Sequence, residues 1–373
     1  MELQIVQDSL DDFINLPYAL NRNNKLWAPP LKKDEKALLA PGQHPFWQTA
    51  RRRLFLAREN GRIVGRAAAI IDEKANEWAG EKAGAFGFFE CENNQDAANL
   101  LLNGCRDWLG ENGATFMRGP LNPSTNYTCG MLVSGFGVAP ALMMPWNPHY
   151  YPELVERWGM RKERDMFAYL IEKKKMDLAP WIKDELNRVK AEGKFTCRHS
   201  GKKTLAQDVR AMLRIYRESW AENWGFSPLS DAEADVLVKE LTAILDPEFF
   251  ILFFHEDQPV AGMVALPDLN PLLRAVNGKL GISVLWHYFR LRKEVRKGYR
   301  IMLFGILPPY RLQGLPMLLL DRMLALAASK PGLEWVEGSW VLEDNAAIDE
   351  LIEDFGGQIA KRYRIYRRDF MPC

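Results

Sequence analysis

The stretch from Gly305 to Leu320 has the residue types and spacing that can hold a phosphate group. An apolar strand runs into a short turn and then directly into an apolar helix, with Gly314 where the helix begins. The first amide groups of a helix lack intrahelical acceptors and lie at the positive end of its dipole, so they bind anions where side chains allow close approach. Gly314 allows that approach, and Pro316 suits the first helical turn because its missing donor costs nothing there. The candidate ligand-binding residues of this stretch are Leu307, Arg311, Leu312, Gln313, Gly314, Leu315 and Pro316.

The same residues also fit an ordinary strand-to-helix turn that Gly314 caps, and that alternative stays open from the turn alone. The elements around the turn therefore matter. They come from an internal repeat, in which three blocks recur in the same order in both halves of the chain. The hairpin 54–65 recurs as 251–262, the strand and helix 86–108 as 304–326, and the helix and strand 153–169 as 350–366.

The third block has two alignments, because Phe136-Gly137 also matches Phe355-Gly356. We prefer 153–169 with 350–366, since only this choice continues into a matching final strand. The alternative to a duplication is that any two α/β domains look similar when aligned by eye. The repeat predicts an α/β (α+β) fold of two tandem domains, each a mixed central sheet flanked by helices. We place an N-terminal domain at 1–172, a helical connector at 173–194 and a C-terminal domain at 195–373.

The bulk composition excludes several classes of protein. With 49 lysines and arginines against 48 aspartates and glutamates in 373 residues, no overall field draws the chain to nucleic acid. The five scattered cysteines form no C-x-x-C pair, which argues against a disulfide framework or a metal site. No apolar run approaches the roughly 20 residues that span a bilayer. We expect a cytoplasmic protein without a metal.

Arg311-x-x-Gly314-x-Pro316 resembles the R/Q-x-x-G-x-G/A acyl-CoA signature of GNAT acyltransferases, and the order of elements resembles the GNAT fold over nearly the whole chain. Pro316 stands where that family has glycine or alanine, so one backbone donor to the phosphates is lost. The segment 335–347 resembles the family's closing motif, in which an asparagine opens a helix beside CoA, and this resemblance assigns Asn345 to the cofactor. In the N-terminal half Asp96 takes the position of Gly314, so we expect two GNAT-like domains of which only the second binds acyl-CoA.

Further stretches resemble a branch of double-GNAT bacterial proteins that includes the bacterial ceramide synthases. They are 84–90, 119–126, 223–226, 277–280 and 339–345. This resemblance implies a long-chain acyl-CoA donor and a lipid amine of the sphingoid type as acceptor. The function expected is thus an acyl-CoA-dependent N-acyltransferase. The alternatives are an N-acetyltransferase for a small-molecule or peptide amine, and a non-catalytic acyl-CoA-binding protein.

This reaction class requires a general base, because an alkylamine with a pKa of ~10 is mostly protonated at neutral pH. The candidate bases are Glu337, Glu343 and Glu90, each of which also fits an ordinary surface or capping acid. A leaving thiolate needs a proton, which a tyrosine of the last helix often supplies in this family. Ile348 and Asp349 occupy that position here.

Tyr310 and Tyr127 are therefore the candidate proton donors. The thioester oxyanion needs a backbone N–H donor, which we expect near Leu307.

The insertion 282–300 combines an apolar face with a basic stretch. Ile282, Leu285, Trp286 and Phe289 recur at helical spacing. Such a helix fits an anionic membrane surface or the donor's hydrocarbon tail, and it predicts peripheral contact with the inner membrane. Alternatively the apolar face packs on the protein's own core and the basic stretch is solvated. The basic residues are Arg290, Arg292, Lys293, Arg296, Lys297 and Arg300.

Overall fold

The computed structural model describes residues 1–7, 9–281 and 283–370, in which strands and helices recur in the same order in both halves. The strands are β1 (Glu2–Ile5), β2 (Ala50–Glu59), β3 (Arg62–Asp72), β4 (Ala83–Cys91), β5 (Phe116–Gly119), β6 (Leu121–Asn122), β7 (Thr128–Cys129), β8 (Met131–Ser134), β9 (Arg161–Glu172), β10 (Thr196–His199), β11 (Phe250–His255), β12 (Gln258–Pro267), β13 (Gly298–Ile306), β14 (Trp335–Leu342) and β15 (Gly357–Asp369). The helices are α1 (Asp11–Leu20), α2 (Lys32–Leu39), α3 (Glu73–Ala79), α4 (Gln95–Glu111), α5 (Tyr151–Arg157), α6 (Pro180–Glu192), α7 (Leu205–Trp220), α8 (Asp231–Ile244), α9 (Asn270–Val276), α10 (Ser283–Val295), α11 (Leu315–Ser329) and α12 (Ala346–Asp354).

The chain forms two compact units that do not follow the predicted boundaries. Unit 1 comprises Met1–Met166, Leu272–Tyr288 and Lys361–Cys373, and unit 2 comprises Phe167–Pro271 and Phe289–Ala360. The sequence pattern assigned all of 195–373 to the second domain. Strand pairing explains part of the difference, because the end of β15 pairs with β5 and β8 inside unit 1.

Unit 1 is built on a mixed sheet. Strands β1, β2, β3 and β4 are antiparallel neighbours in that order, and β5 then runs parallel to β4. Helix α4 packs its apolar face on this sheet, with Leu101, Leu102, Cys105 and Leu109 fully buried. This matches the strand-helix-strand pattern predicted for 86–117.

Unit 2 repeats this arrangement. Strands β10, β11, β12 and β13 are antiparallel neighbours, and β14 runs parallel to β13. The segment predicted to be a connector is instead part of this unit. Helix α6 buries Ile182, Leu186 and Val189, and Val189 lies against Gly314 at the start of α11.

The duplication is visible in matching backbone irregularities, which also correct the sequence alignment. Val64 and Val260 are the extra residue of the same bulge, and their carbonyls accept from Glu92 and Leu307. In the structure the hairpins therefore repeat at a shift of 196 residues, where the sequence alignment had 197. Strands β4 and β13 repeat at a shift of 215 residues, where the sequence alignment had 218. The third block does repeat at 197. In both halves a glycine with positive φ follows the helix, Gly159 at 105° and Gly356 at 94°.

Candidate active site

A cleft opens in unit 2 where two parallel strands separate. β13 and β14 pair from Gly298 and Trp335 up to Ile301 and Gly338, and beyond that point their residues line the cleft instead of pairing. The cleft encloses about 900 Å³ including its open mouth. Its wall is mostly apolar. The lining residues are Ile171, Trp220, Asn223, Ile301, Met302, Phe304, Leu320, Gly338, Ser339, Trp340, Val341, Leu342, Asn345, Ile348, Leu351, Ile352 and Phe355.

Arg300 holds the strands at the point of separation. Its Nε donates to Ser339 Oγ at 2.9 Å and its Nη2 donates to the Ser339 carbonyl at 3.1 Å. The guanidinium thus supplies a donor to a carbonyl that lies just past the last main-chain pair. Arg300 is only 5% exposed, so its prediction as part of a solvated or membrane-facing basic stretch is wrong.

The predicted phosphate turn lies directly after β13. Gly314 is the N-cap of α11 with φ of 76°, and a Cβ at this position would lie 2.2 Å from Val189 Cγ2. Within the described residues, the amides of Leu312, Gly314, Leu315 and Met317 donate no hydrogen bond to the chain, which leaves them available to an anion. Pro316, in the first helical turn, has no amide proton to offer.

Ser219 near the end of α7 fixes this turn to the sheet. Its Oγ donates to the Ile306 carbonyl at 2.8 Å, and its own carbonyl accepts from Arg311 Nη2 at 2.6 Å. The Arg311 guanidinium is therefore engaged with the protein, and it positions the turn. The Gln313 side chain is also engaged with the turn, since it donates to the Pro309 carbonyl. The backbone amides are therefore the candidate anion-binding groups of the turn.

In unit 1 the described segment after β5 occupies the place that corresponds to the cleft. Leu121 O would lie 1.7 Å from a Cβ on Gly87, and Asn122 Oδ1 accepts from the Phe88 amide at 2.5 Å. The turn into α4 is also short, from Glu92 to Asn94. Asn94, not Asp96, occupies the N-cap position equivalent to Gly314, and its side chain accepts from the Ala97 amide.

Two predicted bases lie on or beside β14. Glu337 is 1% exposed and accepts from Ser339 Oγ at 2.8 Å, so this hydroxyl connects it to the cleft that Ser339 lines. Glu343 is partly buried and lies between the lining residues Leu342 and Asn345. The Asn345 side chain forms no hydrogen bond with the described residues and lines the cleft, as a cofactor-binding group would.

Glu90 belongs to a separate polar cluster inside unit 1. It lies opposite Arg66 in the β3–β4 register, and one of its oxygens accepts from Tyr151 Oη at 2.8 Å. Arg66 also approaches Glu35 at 3.5 Å. Burial raises the pKa of Glu90 to about 7, against the opposing effects of Arg66 and the Tyr151 hydrogen bond. A carboxylate with this pKa exchanges protons near neutrality.

The predicted tyrosines do not line the unit 2 cleft. Tyr310 packs against His255, with its Oη 3.4 Å from His255 Nδ1 and its ring near Phe195. Tyr127 lies in unit 1 against His44 and Phe46. Neither position brings a phenol to the separated strands of unit 2.

The Leu307 amide is not free to hold an oxyanion, because it donates to the Val260 carbonyl at 2.9 Å. Successive amides of a strand point to opposite sides. The amides of Phe304 and Ile306 therefore point away from β12, toward the side where β14 has separated. Phe304 lines the cleft and is the better-placed donor.

Several groups at the cleft escaped sequence analysis. Ser339 lies in the stretch 339–345 that resembles the bacterial ceramide synthase branch, but its residue type alone predicts no role for it. Tyr169 of β9 donates to Asp349 Oδ1 at 2.8 Å on α12, next to the lining residue Ile348. Burial raises the pKa of Asp349. A tyrosine hydroxyl therefore lies beside the helix position at which the GNAT family usually has a tyrosine, but it comes from strand β9 and not from helix α12.

Helix α10 exposes its predicted apolar face. Leu285, Trp286 and Phe289 are 63%, 57% and 64% exposed, so packing of this face on a hydrophobic core does not occur. Ile282 lies outside the described residues. No helix in the described ranges is long and apolar enough to cross a membrane.

The chain is similar to known proteins along almost its full length. The bacterial ceramide synthase of Caulobacter vibrioides (strain NA1000 / CB15N) is 33% identical over 369 residues, covering 96% of this chain and 94% of that protein. Protein YghO of Escherichia coli (strain K12) is 27% identical over 373 residues, covering 97% and 93%. A solved tandem GNAT protein from the clavulanic acid biosynthesis pathway covers 100% of both chains with a TM-score of 0.57 at 10% identity. No protein-family model matches.

Fold and relatives together define a tandem GNAT acyltransferase, which confirms the predicted fold class and enzyme class. The chain belongs to the family of bacterial ceramide synthases.

The phosphate turn can be tested without straining it. Leu312 is 96% exposed, so Leu312→Glu adds a negative charge beside the free amides at no packing cost. We expect CoA binding, measured by calorimetry, to weaken roughly 5- to 30-fold, as about 1–2 kcal/mol of repulsion implies. Leu312→Gln introduces a neutral side chain of the same shape as glutamate. This control and the unit 1 variant Asp96→Ala should bind CoA as wild type does. Equal weakening in Leu312→Glu and Asp96→Ala would contradict the assignment to unit 2.

Glu90 should make stability depend on pH. Its pKa is higher in the folded chain than in the unfolded chain, so the folded state binds more protons between about pH 4.5 and 7, and stability falls as pH rises through that window. Glu90→Gln removes this loss. We expect the free energy of unfolding of the variant, measured relative to wild type by urea denaturation, to increase by roughly 1–3 kcal/mol from pH 5 to pH 8. An unchanged difference across that range would show that Glu90 has an ordinary pKa.

Proposed function

We propose that the chain transfers a long acyl chain from acyl-CoA to the amine of a sphingoid-type lipid. The observation that carries this proposal is the apolar cleft of unit 2 between the separated strands, to whose wall α11 contributes Leu320, while the phosphate turn with its unbonded amides forms the start of the same helix. An anion site at the start of α11 and an apolar cleft lined by the same helix suit the two ends of an acyl-CoA.

Each part of the donor has protein groups suited to it. The pyrophosphate binds the amides of Gly314 and Leu315, and Asn345 offers an amide side chain further along. The hydrocarbon tail extends along Leu320, Leu351 and Phe355. Each buried methylene contributes about 0.8 kcal/mol, so a cleft that covers even a few methylenes prefers a long chain over acetyl by orders of magnitude.

The transfer step needs charge stabilisation where the carbonyl oxygen gains charge. The Phe304 amide supports this role because it points to the open side of β13. Glu343 directly follows the lining residue Leu342 at the end of β14, which supports it as a candidate base. Preference for a short donor would instead favour the alternative, an N-acetyltransferase.

Chain length can be tested at Gly338, whose added Cβ would reach Ile352 Cδ1 at an ordinary 3.7 Å. Gly338→Val narrows the cleft without forcing the backbone. With an amine acceptor and release of free CoA as readout, wild type should prefer palmitoyl-CoA to acetyl-CoA. In the variant, the ratio of activity with palmitoyl-CoA to activity with acetyl-CoA should fall at least about tenfold. The valine side chain takes space from methylenes of the acyl chain, each of which contributes ~0.8 kcal/mol when buried. Gly332→Ala, in open space, is the matched control. Equal use of both donors by wild type would contradict a long-chain donor.

The exposed face of α10 supports peripheral contact with an anionic membrane. Arg292, Lys293 and Arg296 are exposed on the same helix or just after it, and each basic residue near such a surface adds about 1 kcal/mol. An apolar face joined to cationic side chains is the arrangement of interfacial helices. The lipid amine acceptor proposed above resides in such a surface.

Liposome flotation tests this contact. Wild type should float with vesicles containing phosphatidylserine at low salt and lose the association as salt increases. A variant with Arg292, Lys293 and Arg296 changed to glutamine should remain in solution. The control changes Lys33, Lys202 and Lys203, which are also exposed, and should float normally. If both variants float like wild type, α10 has no role at the membrane.

A further inference from the structure

Ser339 is a polar residue at the apex of the unit 2 cleft whose hydrogen-bond direction is fixed by its neighbours. It is the first residue of β14 beyond the last pair with β13, and it lines the cleft. Its hydroxyl donates to Glu337 Oε1 at 2.8 Å and accepts from Arg300 Nε at 2.9 Å. Arg300 and Glu337 are 5% and 1% exposed.

The chemistry of these partners fixes which bonds the Ser339 hydroxyl can still make. A hydroxyl has one proton to donate and two lone pairs that accept. A guanidinium can only donate and a carboxylate can only accept, so the Ser339 proton must point to Glu337 and one lone pair must face Arg300. The described residues bring no second donor to Ser339 Oγ. The remaining lone pair can accept a hydrogen bond from an N–H or O–H of a ligand but cannot donate one.

The surroundings of Ser339 make its hydroxyl selective for a ligand that donates a hydrogen bond. Neighbouring lining groups are the apolar Ile301, Met302 and Trp340, whereas the polar lining residues Asn223 and Asn345 carry both donors and acceptors. A charged residue is rarely buried unless it is paired, and here two buried charges converge on one hydroxyl. That hydroxyl is a fixed acceptor in an apolar wall.

We propose that Ser339 is a catalytic residue that accepts a hydrogen bond from the acceptor amine and conducts its proton to Glu337. This rests on the proposed function. The neutral amine nitrogen attacks the thioester carbonyl, so that a C–N bond forms and the C–S bond breaks. The N–H proton passes to Ser339 Oγ while the Ser339 proton passes to Glu337 Oε1. The same route returns a proton to the thiolate, which leaves as free CoA beside the amide product.

Binding of two matched cations tests the acceptor directly, without turnover. Octylammonium and octyltrimethylammonium carry the same charge and chain, but only the first has N–H donors. Calorimetry on the full chain should show that wild type prefers octylammonium at least tenfold, and that Ser339→Ala lowers this ratio at least fivefold. Comparing ratios cancels the effect of the larger head group. An unchanged ratio in Ser339→Ala overturns the proposal.

Turnover supplies the second readout. With palmitoyl-CoA and an alkylamine, Ser339→Ala should lower kcat by roughly 100-fold, within the usual contribution of proton transfer, and leave the affinity for acyl-CoA within twofold. Ser339→Thr keeps the hydroxyl and should retain at least a third of wild-type kcat. Thermal unfolding verifies that each variant is folded. If wild type turns over no amine, the proposed function fails, while the cation ratio still decides the role of Ser339. Loss of acyl-CoA affinity equal to the loss of kcat would assign Ser339 a purely structural role.

Discussion

Two parallel strands cannot separate inside a domain unless their main-chain groups find other partners. In unit 2 that constraint falls where β13 and β14 stop pairing, at Ile301 and Gly338. Arg300 meets it by bonding both the hydroxyl and the carbonyl of Ser339. Because an unpaired buried carbonyl costs about 1–3 kcal/mol, this contact favours an open cleft over a collapsed sheet. The cleft, its apolar wall and the turn beside it all depend on the separation.

The two units differ in what occupies the place where the two parallel strands stop pairing. In unit 1 the chain closes its own gap, since Leu121 and Asn122 lie against Gly87 and Phe88. A helix cap from Asn94 then occupies an amide at the start of α4. In unit 2 the equivalent amides stay free and the glycine cap has no side chain to compete with a ligand. Duplication followed by filling of one copy explains why, among the described residues, unit 2 keeps an apolar cleft where Leu121 and Asn122 occupy the corresponding place in unit 1.

Buried charge has a different use in each unit. Arg300 and Glu337 converge on one hydroxyl and fix the direction in which it can bond. In unit 1, Arg66 and Glu35 surround Glu90 without removing the effect of burial, so its pKa stays near neutrality. Both arrangements are costly to bury, which makes each a better candidate for chemistry than for stability.

The sequence determined what is local. Hairpin turns, the strand-helix-strand order and the Gly314 turn follow from residue types within a few positions, because turn chemistry and helix caps act over that range. The family resemblance carried by those residues then predicted the acyltransferase class. The third repeat block could also be aligned correctly, since the helix ends at Gly159 and Gly356 need the same positive φ.

Tertiary structure decided everything that depends on register or burial. Arg300 stands at the end of a basic run, and only strand pairing places it opposite Glu337. The Leu307 amide could be assigned only once the bulge at Val260 was known, because one extra residue changes which amides face a neighbouring strand. The periodicity of α10 is the same for a core helix and an interfacial one. Its exposed Trp286 and Phe289 distinguish the two, because apolar spacing in a sequence states which residues share a face but not what that face meets.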